Sequence, residues 1–128
     1  MSLRILIVDD SPVMRSFIHR VLDLSGLEYA ACLQAGNGRE ALDVLERERV
    51  DIVLSDVNMP EMNGEEFLER LSADERIRGI PVVVISTDST EHRMARMTEL
   101  GAKGYVKKPF VPEALREVME RVMEAPNG

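Results

Sequence analysis

The sequence predicts a three-layer α/β sandwich, a parallel sheet with helices on both faces. Three observations carry that expectation. Short β-branched apolar runs alternate five times with segments of helical periodicity. The runs "RILIV" (4–8), "DIVLS" (51–55) and "PVVVIS" (81–86) show no polar alternation, as befits strands covered on both faces. The connections are a few residues long, an order that parallel strands with right-handed helical crossovers satisfy.

Taken in turn, "RILIV" opens the chain as a strand and passes at once into Asp9 and Asp10. In "SPVMRSFIHRVLDLSG" the apolar residues Val13, Met14, Phe17, Ile18, Val21 and Leu22 recur at helical spacing. Ser11 suits the cap, Pro12 the first helical position and Gly26 the stop. A weaker strand lies in "YAACLQA" (29–35). In "NGREALDVLERER", Asn37 caps a helix with Glu40 three residues on, a capping-box arrangement ahead of Ala41, Leu42 and Leu45. The glycines of "GNGRE" (Gly36, Gly38) lack a third partner and follow the second strand, so a turn and a cap explain them better than a dinucleotide fingerprint.

"DIVLS" then delivers Asp56 into a loop punctuated by Pro60 and Gly64, and "NGEEFLERLSA" sets Phe67, Leu68 and Leu71 on one helix. "PVVVIS" ends at Ser86, and "TEHRMARMTELG" spaces Met94, Met97 and Leu100 before Gly101; methionines so placed are more often core than partner groove. "KGYVKK" (103–108) is the fifth strand. "VPEALREVMERVME" starts on Pro112 and is expected to bury Leu115, Val118, Met119, Val122 and Met123, leaving "APNG" as a frayed end.

A chain of 128 residues fits a single domain (1–128, core about 4–123) with no output domain of its own. It is 45% hydrophobic and 30% charged, without eighteen apolar residues in a row and without a targeting pattern. The expectation is a cytoplasmic protein that does not enter membranes, its one cysteine, Cys32, reduced and partly buried. A net charge of −7 argues against a nucleic-acid surface and suits a metal cation or a basic partner.

In an open parallel sheet all strand C-termini share one edge, where ligands bind. Those ends read Asp9–Asp10, Asp56, Ser86 and Lys108. Alone, Asp56 would be a turn residue; the others at the same level change its meaning. Adjacent carboxylates resist joint ionisation unless a cation joins them, and oxygen-only ligands favour Mg²⁺. A divalent ion, a carboxylate free to act as nucleophile and a fixed ammonium are the parts of phosphoryl transfer to an acyl phosphate. Lys107 reads as a solvated neighbour. His19 and His92, lacking ligand-spaced companions, read as surface or packing residues.

The stretches "VDDS", "SDVNMPEMNG", "VVVIST" and "GYVKKPF" resemble the response-regulator receiver domains, most of all the single-domain chemotaxis receivers, over about residues 4 to 123. That resemblance implies a flavodoxin-like (βα)5 fold with strand order 2-1-3-4-5. It implies Asp56 as phosphoacceptor and Mg²⁺ ligand, Asp10 as a direct Mg²⁺ ligand, Asp9 acting mainly through water, and the Asn58 main-chain carbonyl as the third protein ligand. It implies Lys108 paired with phosphoryl oxygens, a cis Lys108–Pro109 bond, and Ser86 (rather than Thr87) and Tyr105 as switch residues. A sensor histidine kinase is the implied donor. A downstream target would meet the face of the fourth helix, fifth strand and fifth helix, in chemotaxis or another pathway, with the protein a monomer or a weak phosphorylation-dependent dimer. Phosphorylation and dephosphorylation would be self-catalysed, without turnover of an outside metabolite.

Two departures from the family pattern stand out. Thr87 occupies a position where a small residue is usual, and Val111 replaces a polar residue before the last helix, which should leave that helix a poorer cap. Three alternatives accompany this reading. The chain could be an excised receiver of a larger regulator with a DNA-binding or enzymatic output domain. It could be a Mg²⁺-dependent aspartyl phosphatase, which usually needs an acid where Asn58 stands. It could be a phosphorylation-independent module, against which the complete acidic set and Lys108 count.

Overall fold

Strand and helix alternate along the whole chain: β1 (Arg4–Val8), α1 (Pro12–Ser25), β2 (Ala31–Ala35), α2 (Gly38–Arg47), β3 (Ile52–Ser55), α3 (Gly64–Ala73), β4 (Val82–Ser86), α4 (Glu91–Glu99), β5 (Gly104–Lys107) and α5 (Pro112–Glu124). The structure is a computed structural model that describes residues 3–57, 62–87 and 90–124. The five strands form one sheet in the order β2-β1-β3-β4-β5, every neighbouring pair parallel. This is the flavodoxin-like order.

The non-alternating strands are explained by two cores. In β1, Ile5 and Ile7 pack with Ile18 and Leu22 of α1 and Leu115 and Met119 of α5. Leu6 and Val8 point the other way, into a layer with Leu45 of α2, Phe67 and Leu68 of α3 and Met97 of α4. All four β1 side chains are fully buried, each such burial contributing roughly 1.5–3 kcal/mol. An exposed ion pair contributes about 1 kcal/mol at most. The two apolar layers therefore dominate the stability of the sandwich.

Four helices start on a side-chain cap. Ser11 Oγ accepts from Met14 N–H at 3.2 Å, Asn37 Oδ1 from Glu40 N–H at 2.9 Å, Asn63 Oδ1 from Glu66 N–H at 3.0 Å and Thr90 Oγ1 from Arg93 N–H at 3.2 Å. The α2 capping box closes one residue early, because Glu40 accepts from the Gly36 N–H at 3.2 Å. At α5, Val111 offers only its carbonyl, which accepts from Ala114 N–H at 3.1 Å. That is a poorer cap, although Pro112 has no N–H that would need an acceptor. Gly26 ends α1 at φ 80°, in the left-handed region that favours glycine.

Some apolar positions lie outside the cores. With 3.6 residues per turn Val13 falls well off the face formed by Ile18, Val21 and Leu22 and Phe17 falls at its margin, and they are 80% and 45% exposed. The covered face of α1 is narrower and centres on Ile18, Val21 and Leu22. Phe17 instead meets the ring of Phe110 edge-on, centroids 5.9 Å apart. In α4 only Met97 is buried and Met94 is exposed. Val118, Val122 and Met123 of α5 are partly buried against the α1 side. Among the described residues no helix is long and apolar enough to cross a membrane.

Candidate functional site

The strand register sets the site. Val8 lies opposite Ser55, and the Asp56 N–H donates to the Val8 carbonyl at 2.9 Å. Asp9 and Asp56 therefore leave adjacent strands at one level. On the other side Ser55 lies opposite Val84, Ser86 lies opposite Lys107, and the Lys108 N–H donates to the Ser86 carbonyl at 2.8 Å. Three carboxylates, a hydroxyl and an ammonium thus reach one rim.

One oxygen each from Asp9, Asp10 and Asp56 lies within 4.8 Å of the others. Lys108 Nζ stands 3.7 Å from Asp9 Oδ2 and 3.9 Å from Asp56 Oδ1, across a bond to Pro109 that is cis. Among the described residues Lys108 is the one cation paired with these acids, so three negative charges face one positive charge.

Each acid is held differently. Asp9 is buried, and its Oδ1 accepts from the Ser11 N–H at 2.9 Å. Its Oδ2, also buried, has no hydrogen-bond partner among the described residues; the Lys108 ammonium is near but too far for a hydrogen bond. Burial pushes the Asp9 carboxyl above its ordinary range. The Ser11 N–H opposes that shift, the Asp56 charge adds to it, Lys108 opposes it and Asp10 adds to it. Asp10 is exposed. Asp56 is partly buried, and its Oδ1 accepts from the Val57 N–H at 2.8 Å. An orphaned buried oxygen, a charge deficit and an all-oxygen donor set fit a hard divalent cation such as Mg²⁺.

The loop behind Asp56 returns close to it. A Cβ at Gly64 would lie 2.7 Å from Val57 Cα and 2.9 Å from the Asp56 carbonyl, while the Gly64 N–H donates to the Val57 carbonyl at 2.8 Å. Only glycine allows α3 to start against the backbone of the acid.

Ser86 is buried at the end of β4, Thr87 beside it is exposed, and Tyr105 is partly buried beside the α2–α4 layer. Asn58 lies outside the described residues. Lys107 is exposed, His92 is exposed, and His19 packs its ring edge-on against Tyr29 at 6.1 Å.

One residue of the rim has no place in the sequence reading. Arg15, in the opening turns of α1, donates from Nη1 to the Asp9 main-chain carbonyl at 2.5 Å and from Nε to Gln34 Oε1 on β2 at 3.0 Å. A cation near the positive pole of a helix is unfavourable, and α1 has no acid in its first turn to offset it. That mismatch is the signal by which it could have been found.

An open parallel sheet whose carboxyl rim gathers three acids and a lysine defines a doubly wound α/β protein with an acidic cluster at the edge where such sheets bind ligands. Comparison with known proteins makes this specific. The family model of the response regulator receiver domain matches residues 5–120, and the chain belongs to that family. It is 35% identical over 126 residues to the chemotaxis protein CheY of Pseudomonas aeruginosa, covering 98% of this chain and 100% of that one. It is 43% identical over 126 residues to a protein-glutamate methylesterase/protein-glutamine glutaminase of Treponema pallidum, of which the match covers only 30%. Among solved structures it is similar to CheY4 of Vibrio cholerae, with a TM-score of 0.84, 33% identity and coverage of 95% and 99%. The protein is a CheY-like receiver of two-component signalling.

Proposed function

We propose that this receiver is a phosphorylation-activated switch that takes a phosphoryl group onto Asp56 from a partner histidine kinase. What supports the reading most is the rim itself, where three carboxylates crowd around one ammonium with a buried Asp9 oxygen left over. Asp10, Asp56 and the Asn58 carbonyl would hold Mg²⁺, with Asp9 acting through water. Bound there, the ion neutralises charge on the transferring phosphoryl oxygens.

The chain's own residues do the rest. Val57 N–H fixes the plane of the Asp56 carboxylate. A carboxylate oxygen of Asp56 forms the O–P bond as the P–N bond of the phosphohistidine breaks, and the imidazole nitrogen leaves with the electron pair and takes a proton from water. Lys108, already facing Asp9 and Asp56, pairs with a phosphoryl oxygen. Ser86 hydrogen-bonds another, and Tyr105 follows inward. These contacts exist only after transfer, so they favour one conformation and alter the face of α4, β5 and α5 on which a target binds. Hydrolysis of the acyl phosphate, promoted by the same residues, resets the switch, in the cytoplasm and in a monomer or a weak phosphorylation-dependent dimer.

Acetyl phosphate with Mg²⁺, followed by intact mass, tests the reading. The expected result is a gain of one phosphoryl group that is lost in Asp56→Asn and on chelation. Phosphorylation of Asp56→Asn to the same extent would overturn it. The Treponema relative, matched over 30% of its length, favours a second setting for the same chemistry, as the receiver part of a longer regulator.

A further inference from the structure

We infer that Arg15 is a positioning residue for the metal site, acting through the Asp9 main-chain carbonyl on the aim of Asp9 and Asp10. The inference rests on the Mg²⁺ reading given above and adds to it a residue that touches neither ion nor phosphate.

Little else holds Asp10. Its side chain is exposed, so packing does not fix it, and what the fold sets is the Cα–Cβ direction given by the backbone that carries it. The carbonyl of Asp9 belongs to the peptide plane linking the two acids. Arg15 Nη1 grips that carbonyl at 2.5 Å, while Nε is braced by Gln34 Oε1 at 3.0 Å. The planar fork of a guanidinium makes both bonds at once with little further freedom to lose. Neighbouring bonds complete the clamp. Asp9 N–H donates to the Ala35 carbonyl at 3.1 Å, Ser11 N–H to Asp9 Oδ1 at 2.9 Å and Arg15 N–H to the Ser11 carbonyl at 3.0 Å. Arg15 thus ties α1 and the end of β2 to the one peptide from which both acids are aimed.

Electrostatics alone argues for the opposite effect, and that makes the inference testable. A guanidinium beside a cation site repels the cation, so deleting its charge should tighten metal binding. A clamp deleted should loosen it. Mg²⁺ demands near-octahedral geometry, whereas Ca²⁺ tolerates a flexible shell. A lost clamp should therefore weaken Mg²⁺ more than Ca²⁺, and a lost charge should strengthen both.

The experiment is calorimetric titration of the folded protein with MgCl2 and with CaCl2, with the amides of Asp9 to Ser11 followed by NMR. For Arg15→Ala the expected result is about tenfold weaker Mg²⁺ binding, the usual scale for removing an outer hydrogen-bond partner of a ligand, with a smaller loss for Ca²⁺. Arg15→Lys keeps the charge but not the fork and should fall between. Gln34→Leu, which leaves the charge untouched, should show a smaller loss in the same direction and decides the matter if Arg15→Ala does not fold. Unchanged or tighter Mg²⁺ binding in these variants, with the wild type binding normally, overturns the positioning role alone. A wild type that binds no Mg²⁺ overturns the metal reading and this inference with it.

Discussion

Strand β3 carries an aspartate at each end, and the two could hardly be treated more differently. Asp51, just before the strand, has its Oδ2 on the Arg4 N–H at 2.8 Å and both oxygens on Arg49 Nη1, at 2.8 and 2.9 Å. Arg4 in turn pairs with Glu48 at 2.7 Å. Asp56, just after the strand, shares its rim with Asp9 and Asp10, and one lysine stands nearly 4 Å away. At the lower edge the chain supplies the countercharges its acids need. At the upper edge it leaves charge over, and a buried oxygen without a donor. The same residue type is architecture where it is balanced and, on the function proposed above, a binding group where it is not.

The largest expected effect that sharpens this contrast is stabilisation by metal. With Mg²⁺ at a hundred times its Kd, unfolding in urea should cost about 2.7 kcal/mol more than without it. The gain should survive Asp51→Asn and shrink markedly in Asp10→Asn. Equal gains in both variants would erase the distinction between the two ends.

Next in size are the metal-free stabilities of two variants, which should move in opposite directions. Asp51→Asn weakens a charged hydrogen bond to backbone and an exposed ion pair, and should lose about 1 kcal/mol. Asp9→Asn removes a crowded, buried negative charge and should gain stability at neutral pH. The native protein holds the Asp9 proton more tightly than the unfolded chain does, since burial raises its pKa. The penalty of the ionised group is therefore absent below the ordinary carboxylate range and fully present above the raised pKa. The advantage of Asp9→Asn should disappear as the pH falls through that range; a constant advantage in denaturation curves at several pH values would contradict the charge argument.

The smallest effect at neutral pH belongs to Cys32 on edge strand β2. There burial pushes the thiol up to about 11, with the Asp23 charge adding to it. Its reaction with a disulfide reagent should stay slow at pH 8 and accelerate only well above pH 9. Between about 9 and 11 the unfolded chain gives up this proton first, so stability should decline as the pH rises through that window. Full reactivity at pH 8 would mean that burial alone does not shift groups in this fold, and would weaken the explanation for Asp9.

Much of this was legible in the residues. Apolar runs without alternation marked the interior strands, and the caps at Ser11 and Asn37 marked two helix starts. Parallel topology brought Asp9, Asp10, Asp56 and Lys108 together before any coordinates, because strand ends in such a sheet share an edge. Other features were not legible. Periodicity identifies an apolar stripe but not how much of it a neighbour covers, so the exposure of Phe17 and Met94 follows only from packing. Gly64 read as turn punctuation, whereas its role is to let a helix touch the backbone of Asp56. Arg15 shows in the sequence only as a cation misplaced at a helix start; its partner is a main-chain carbonyl, which no side-chain pattern reveals.

The sheet order carries a mechanical consequence. Asp9, Asp56 and Ser86 hang from β1, β3 and β4, each flanked by a strand on either side, whereas Lys108 hangs from β5, which has one neighbour. Interior strands open last and margins first. The acids are thus bolted to the inner timber of the sheet, and the lysine that answers them is mounted on one of its two outer planks.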